Sequence, residues 1–347
     1  MQRAARIAAG GALAGAMALS AGTMQAGAMR DASAQDASAK RDAKRVVTDE
    51  LGRRVEVPRE VRRIVTLAPN LTETIYALGL EAQLAGDTDY CDTPAAAKSK
   101  PHVGAPLNPS LEAIVALHPD LVLATTSINR RETVEALSRL GIPAYTTDPH
   151  TVRGMLESIE HIAEIAGASG PQMGVVARLQ HRLDALHARL EERPLVHVLF
   201  VVWEEPLISI GQNTFIADAL RWAGAESVIL SEKSWPQIGM EEVVRLQPDY
   251  IVLASNHSES GAKTELEDLR ARPAWKQLAA VRMGHVAVVS EEVTRPSPGL
   301  VDTIEDLAHQ LHPEAFDGKT ENGKVKMENG AAHGEVVMAR GCDGCGR

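Results

Sequence analysis

The side chains able to do covalent or metal chemistry in this chain are few and scattered. Of three cysteines, Cys91 stands alone, while Cys342 and Cys345 form a single C-x-x-C near the C-terminus. One such pair offers two sulfur ligands where a closed zinc site takes four. Its Gly-Cys-Asp-Gly-Cys-Gly-Arg setting lacks the strand and helix that activate a redox thiol. In an oxidising compartment it reads as a small local disulfide or two free thiols. Among twelve histidines, the pairs close enough to chelate are His309/His312 at i,i+3 and His181/His187 at i,i+6, the second poorly placed on one helix face. These read as surface histidines. No nucleophile elbow, phosphate loop or dinucleotide fingerprint is present. The expectation is therefore a protein that is not an enzyme, with no metal site and no cofactor.

Composition narrows the partners. The 347 residues carry a net charge of −10, and residues 1–28 contribute two arginines and no acid, so the remainder is more acidic still. An acidic chain repels phosphate backbones and anionic lipid. Aromatic residues make up only 3%, which leaves little material for stacking on single-stranded bases. Nucleic acid is excluded as a partner.

The N-terminus carries an address. Arg3 and Arg6 precede an apolar run, Ile7 to Leu19, and Ala26-Gly27-Ala28 offers an A-x-A cleavage site. The run is shorter than the roughly 20 residues needed to span a bilayer. Thr23 follows Leu19-Ser20-Ala21-Gly22 where a lipoprotein would have cysteine. A signal peptide over 1–28 and an exported, periplasmic protein without a lipid anchor are expected.

Beyond it, the pattern predicts a flexible leader at 29–45, a hairpin over 46–57 and a short strand at 64–67. A helix follows with Asn70 as a candidate N-cap and Glu73 three residues on. Strands at 121–124 and 144–146 alternate with helices at 109–117, 130–140 and 151–166, which implies a parallel sheet. A helix over 172–193, about 33 Å long at 1.5 Å per residue, shows an apolar face of Val175, Leu179, Leu183, Leu186 and Leu190. The alternation resumes with strands at 196–202, 250–254 and 286–289 and helices at 214–223 and 299–311. The reading is an α/β protein of two Rossmann-like βα lobes joined by one long backbone helix, with a ligand cleft between the lobes. The boundaries are an N-terminal lobe at 46–150, a helical linker at 151–193, a C-terminal lobe at 194–312 and a disordered tail at 313–347.

An internal repeat supports the two lobes. Ser110–Leu123 aligns with Gly239–Val252, so that Glu112 matches Glu241 and His118-Pro119-Asp120 matches Gln247-Pro248-Asp249. Each copy reads as a helix, a Pro-Asp turn and a buried strand.

The segments Asp49–Pro58, Thr66–Asn70, Tyr90–Pro94, Ser110–Ala124, Ser234–Ile238, Arg272–Trp275 and Arg295–Pro298 resemble, in order, the helical-backbone (class III) periplasmic binding proteins of ABC importers. The likeness is closest to cobalamin-binding members, and it covers roughly 46–312. It implies capture of cobalamin or a related corrinoid by a monomer, with haem or a ferric siderophore as the alternative cargo. An exported enzyme or a ligand sensor is the reading from another class. It also implies that Glu112 and Glu241 dock onto permease arginines, a role that suits carboxylates near helix N-termini. Tyr90 and Trp235 match cleft positions, where an indole or phenol face suits a flat corrin ring. Trp203 is a third wall candidate or a core residue. Arg295 matches a polar contact to ligand amide or phosphate groups, Asn70 a ligand contact or a helix cap, and Trp275 a structural position. Pro106 and Thr125 stand where cobalamin-binding relatives carry aromatics, which makes the pocket less aromatic than theirs.

Overall fold

In the computed structural model of the chain, residues 43–255 and 260–316 are described. The signal peptide, nearly all of the leader, and Cys342 and Cys345 lie outside the described residues.

Order begins slightly earlier than the pattern suggested. A hairpin pairs β1 (Lys44–Thr48) with β2 (Arg54–Pro58). Its turn is held by the Asp49 carboxylate, which accepts from the backbone N–H groups of Leu51 and Arg53 and pairs with the Arg53 guanidinium. The first lobe continues with β3 (Ile64–Thr66), α1 (Pro69–Ala77), β4 (Leu84–Gly86), a small hairpin of β5 (Gly104–Ala105) and β6 (Asn108–Pro109), α2 (Leu111–Ala116), β7 (Leu121–Thr125), α3 (Arg131–Arg139) and β8 (Ala144–Thr147). Two linker helices follow, α4 (Val152–Ala166) and α5 (Gly174–Leu190). The second lobe holds β9 (Val196–Val201), a short hairpin of β10 (Trp203–Glu204) and β11 (Leu207–Ile208), α6 (Phe215–Trp222), β12 (Ala225–Ser227), α7 (Met240–Leu246), β13 (Tyr250–Ser255), α8 (Ser260–Ala271), α9 (Ala279–Met283), β14 (Val286–Ser290), α10 (Leu300–Leu311) and α11 (Pro313–Phe316). The last of these places a helical turn where a disordered tail was expected to begin.

Each lobe is built on a four-stranded parallel sheet, ordered β4-β3-β7-β8 in the first and β12-β9-β13-β14 in the second. In chain order both read 2-1-3-4, so the sequence repeat is a repeat of topology. The strands are almost continuously apolar because both faces are covered. Ile64, Leu121 and Leu123 point into one large core that also contains Ile159, Leu183, Phe200 and Val252, whereas their neighbours Val65, Val122 and Ala124 point into a core private to the first lobe. Leu199, Ile251 and Leu253 do the same in the second lobe. The inner faces of both sheets thus meet the linker helices in a single apolar cluster.

The linker comprises two helices, α4 and the longer α5. The N–H of Val152 at the start of α4 donates to Asp218 on α6 of the second lobe at 2.8 Å. The carbonyls of Glu164 and Ile165 near its end accept from Arg45 of the first-lobe hairpin. The next segment reverses: Gln172 donates to Gly79 of the first lobe, and Arg182 on α5 grips Glu305 and Asp302 on α10 of the second. With 17 residues, α5 is about 25 Å long, shorter than the sequence suggested because Gly170–Gln172 forms a separate 3₁₀ turn before it.

Candidate functional site

A cavity of about 400 Å³ lies between the lobes, lined on one side by Ala68–Asn70, Tyr90, Ala105–Leu107, Ser127 and Ile128 and on the other by Thr294–Pro296. Every one of these residues follows the carboxyl end of a parallel strand, or lies in the β5–β6 hairpin beside it. That is where open α/β sheets leave a crevice.

Two anchors, one half-buried and one buried, hold the first-lobe wall. Asn129 accepts from the N–H of Thr125 at 2.8 Å and donates to the carbonyls of Leu67 at 2.7 Å and Pro106 at 2.9 Å, tying three loops into one surface. Cys91 sits buried beneath Tyr90, with its sulfur within 3.1 Å of Thr72 Oγ1, which donates to it, and 3.2 Å of Thr88 Oγ1. Burial pushes this thiol above its ordinary pKa, so Cys91 acts as an inert peg. Above it, Tyr90 is 63% exposed, with its ring free to meet a ligand.

The second-lobe wall reaches across the boundary. Asn70 is not a helix cap: Ala68 holds that position, Pro69 opens α1, and Asn70 is its second residue. Because Pro69 cannot donate, it suits the first helical position, and the helix starts two residues earlier than an asparagine cap would dictate. The freed Asn70 side chain donates to the carbonyl of Pro296 at 3.4 Å. One turn on, Glu73 also faces the second lobe, with Oε1 at 3.6 Å from Nη1 of Arg295. Burial raises the pKa of Glu73 above the usual carboxylate range, against the opposing pull of Ser297 and Arg295.

A second cavity of about 580 Å³ opens at the carboxyl ends of β9 and β13, lined by Val201–Glu205, Leu253, Ala254, Glu265, Arg272 and Glu291. Trp203 stands on its rim, 62% exposed, with Nε1 donating to the carbonyl of Glu205 at 2.9 Å. Of the two roles open to Trp203, core packing is therefore ruled out. Glu204 pairs with Arg272 behind it.

The structure brings Asn70, Tyr90 and Arg295 to the interlobe cavity and Trp203 to its neighbour. Trp235 lines neither cavity. It lies in an extended segment bonded to residues 209–211 through Pro236 and Ser234, and its side chain is 54% exposed. Thr125 is fully buried, whereas Pro106 does line the interlobe cavity. Trp275 is buried in the second-lobe core. Glu112 and Glu241 are both exposed and occupy the same position, second residue of α2 and of α7. Among the described residues no group of three or more His, Cys, Asp or Glu side chains could hold a metal ion. Not all of them are surface residues. His312 is buried and bonds through Nε2 to the carbonyl of Gly224, and His309 stacks on Phe316. Sequence reasoning missed Glu73 as a boundary residue, because its spacing from Asn70 mimicked a capping pair, and missed Asn129, which carries no motif.

Residues 64–293 match the family model described as Periplasmic binding protein. A vitamin B12-binding protein of Vibrio parahaemolyticus is 28% identical over 254 residues, covering 72% of this chain and 90% of that protein. An uncharacterised ABC transporter substrate-binding lipoprotein of Bacillus subtilis is 28% identical over 278 residues, covering 78% and 86% respectively. The crystal structure of the periplasmic vitamin B12-binding protein BtuF of Vibrio cholerae superposes with a TM-score of 0.64 at 24% identity, over 74% of this chain and 98% of that one, and so shows the shared fold.

Proposed function

The chain belongs to the periplasmic binding protein family, and from that premise we propose that it captures cobalamin or a related corrinoid between its lobes and delivers it to an ABC importer. The observation that carries the cargo is the likeness to the vitamin B12-binding protein of Vibrio parahaemolyticus along nearly all of that protein's length. The cleft supports it. Tyr90, Leu107 and Ile128 present exposed apolar surface on one wall, and Trp203 presents more beyond the second cavity. A flat macrocycle buries its faces against such groups, and Arg295 offers a fork of donors to its peripheral amides or phosphate.

In this reading Asn70, Tyr90, Trp203 and Arg295 contact the ligand and Trp235 adds an aromatic edge from the second lobe. Glu112 and Glu241 meet permease arginines. The protein releases its cargo unchanged, works without a cofactor, and acts in the periplasm as a monomer after export through residues 1–28.

Isothermal titration of the exported protein, purified free of ligand, tests the proposal with cyanocobalamin, dicyanocobinamide, haem and a ferric hydroxamate in parallel. Corrinoids should bind one to one, and Tyr90→Ala should weaken them roughly 5- to 30-fold, the equivalent of about 1–2 kcal/mol of ring contact. An isotherm with haem or the hydroxamate alone would replace the cargo. Silence with all four would overturn capture itself.

A further inference from the structure

Among the described residues, one ion pair joins the cavity wall to a buried carboxylate of the opposite lobe. Glu73 is 8% exposed, and its Oε1 makes no hydrogen bond among the described residues. Its cationic partner, Arg295, lies at 3.6 Å, too far for a full hydrogen bond, keeps a third of its side chain exposed, and lines the interlobe cavity. The fully buried Ser297 hydroxyl faces the same carboxyl, as does Glu292, whose like charge repels that of Glu73. On the same helix, the Asn70 side chain is engaged with Pro296. A single guanidinium therefore serves two sites, a buried carboxylate behind it and an open cavity in front.

We propose that Glu73 and Arg295 form a charge switch across the lobe boundary: an anionic group of the ligand draws the guanidinium forward into the cavity, and the carboxylate left in the buried interface takes up one proton from solvent. Moving Arg295 removes the one cation that faces Glu73 among the described residues and leaves Glu292 as its charged neighbour, so the buried carboxyl becomes neutral. Burial already holds this group above the ordinary carboxylate range. Ligand capture then consumes a proton, and affinity rises as pH falls. The choice of probe rests on the corrinoid reading, since cyanocobalamin carries a phosphodiester and dicyanocobinamide does not, whereas the geometry does not depend on it.

Titrations with cyanocobalamin in phosphate, Hepes and Tris, whose ionisation enthalpies differ, count the protons. The expected result is uptake approaching one proton in the wild type, with affinity rising by up to about tenfold per unit fall in pH. Glu73→Gln should abolish both, and dicyanocobinamide should bind without uptake. Equal uptake in the wild type and Glu73→Gln, or with both corrinoids, overturns the switch. A ligand-free measurement keeps the two proposals separate: carbon-detected NMR titration of the Glu73 carboxyl in the wild type and in Arg295→Gln. A midpoint that rises on loss of the guanidinium supports the coupling even if no corrinoid binds, in which case only the cargo reading fails. A midpoint that does not move overturns the switch whatever the cargo.

Discussion

Asp87 shows how far burial governs single residues here. Its carboxyl is fully buried at the end of β4, with Oδ1 at 2.8 Å from His102 Nδ1 and Oδ2 without a partner. Burial raises its pKa, and the hydrogen bond and charge of His102 offset this in part. A carboxyl whose folded pKa lies above its unfolded value favours the folded state least when ionised, so stability is lost as pH rises from the ordinary aspartate range through the raised value. Asp87→Asn removes that ionisation. Urea unfolding should show its stability gaining on the wild type over this range by about 1.4 kcal/mol per unit of pKa rise, and a difference that stays constant from pH 3 to 7 would contradict it. At this scale the sequence disclosed the exposed aromatics and Arg295, because their surroundings of Pro and small polar residues mark loops. It concealed Asn129 and Glu73, whose importance comes from carbonyls and charges 23 to 222 positions away.

Elements repeat down to their strain. Among the described residues, the non-glycine residues with positive φ are His118, at 45°, and Gln247, at 46°, and they occupy equivalent places in the two copies. Each ends a short helix immediately before proline, where the right-handed helical region is disfavoured and the left-handed one terminates the helix sharply. The aspartate that follows does matching work in both lobes: Asp120 accepts from the N–H groups of Arg62 and Arg63 before β3, and Asp249 from that of His197 at β9. This explains why Pro-Asp is shared between copies whose helices otherwise diverge. His118→Gly should relieve strain and stabilise the protein by about 0.5–1 kcal/mol in urea unfolding. Gln247→Gly should do the reverse, because Gln247 also donates to the Val244 carbonyl and accepts from the Ala279 N–H. The strands of the two parallel sheets missed from the pattern, β4 and β12, have three residues each and lack a β-branched run. They exist because β3 and β9 offer open edges to pair with.

At the scale of the whole molecule, two helices and a shared core carry the lobes. The apolar cluster running from Ile64 through Leu183 to Ile304 would have to be broken for the lobes to swing widely, and the segment from Gln172 to the middle of α5 is tied to Gly79 of the first lobe and Glu305 of the second. Closure should therefore be small, and small-angle scattering should show a change in radius of gyration of less than about 1 Å on adding ligand, whereas a larger change would mean that the shared core yields. The exposed glutamates at the second position of α2 and α7 present one surface feature twice, as a partner with two equivalent arginine sites would require. Reversing both charges, Glu112→Lys with Glu241→Lys, should abolish uptake in cells while leaving the isotherm of the purified protein unchanged. Loss of ligand affinity in that variant would remove the docking role.

The sequence by itself determined the two-lobed α/β plan, the repeat and the loops that carry Tyr90, Trp203 and Arg295, because strand alternation, Pro-Asp turns and apolar periodicity are local signals. Tertiary structure alone decided which of these loops meet. Asn70 turned from a cap into a bridge, Trp235 fell outside both cavities, and Glu73 became half of a pair across the boundary. Such outcomes depend on how two separately folded sheets are set against one another by α4 and α5, and that geometry is summed over a core no single segment encodes.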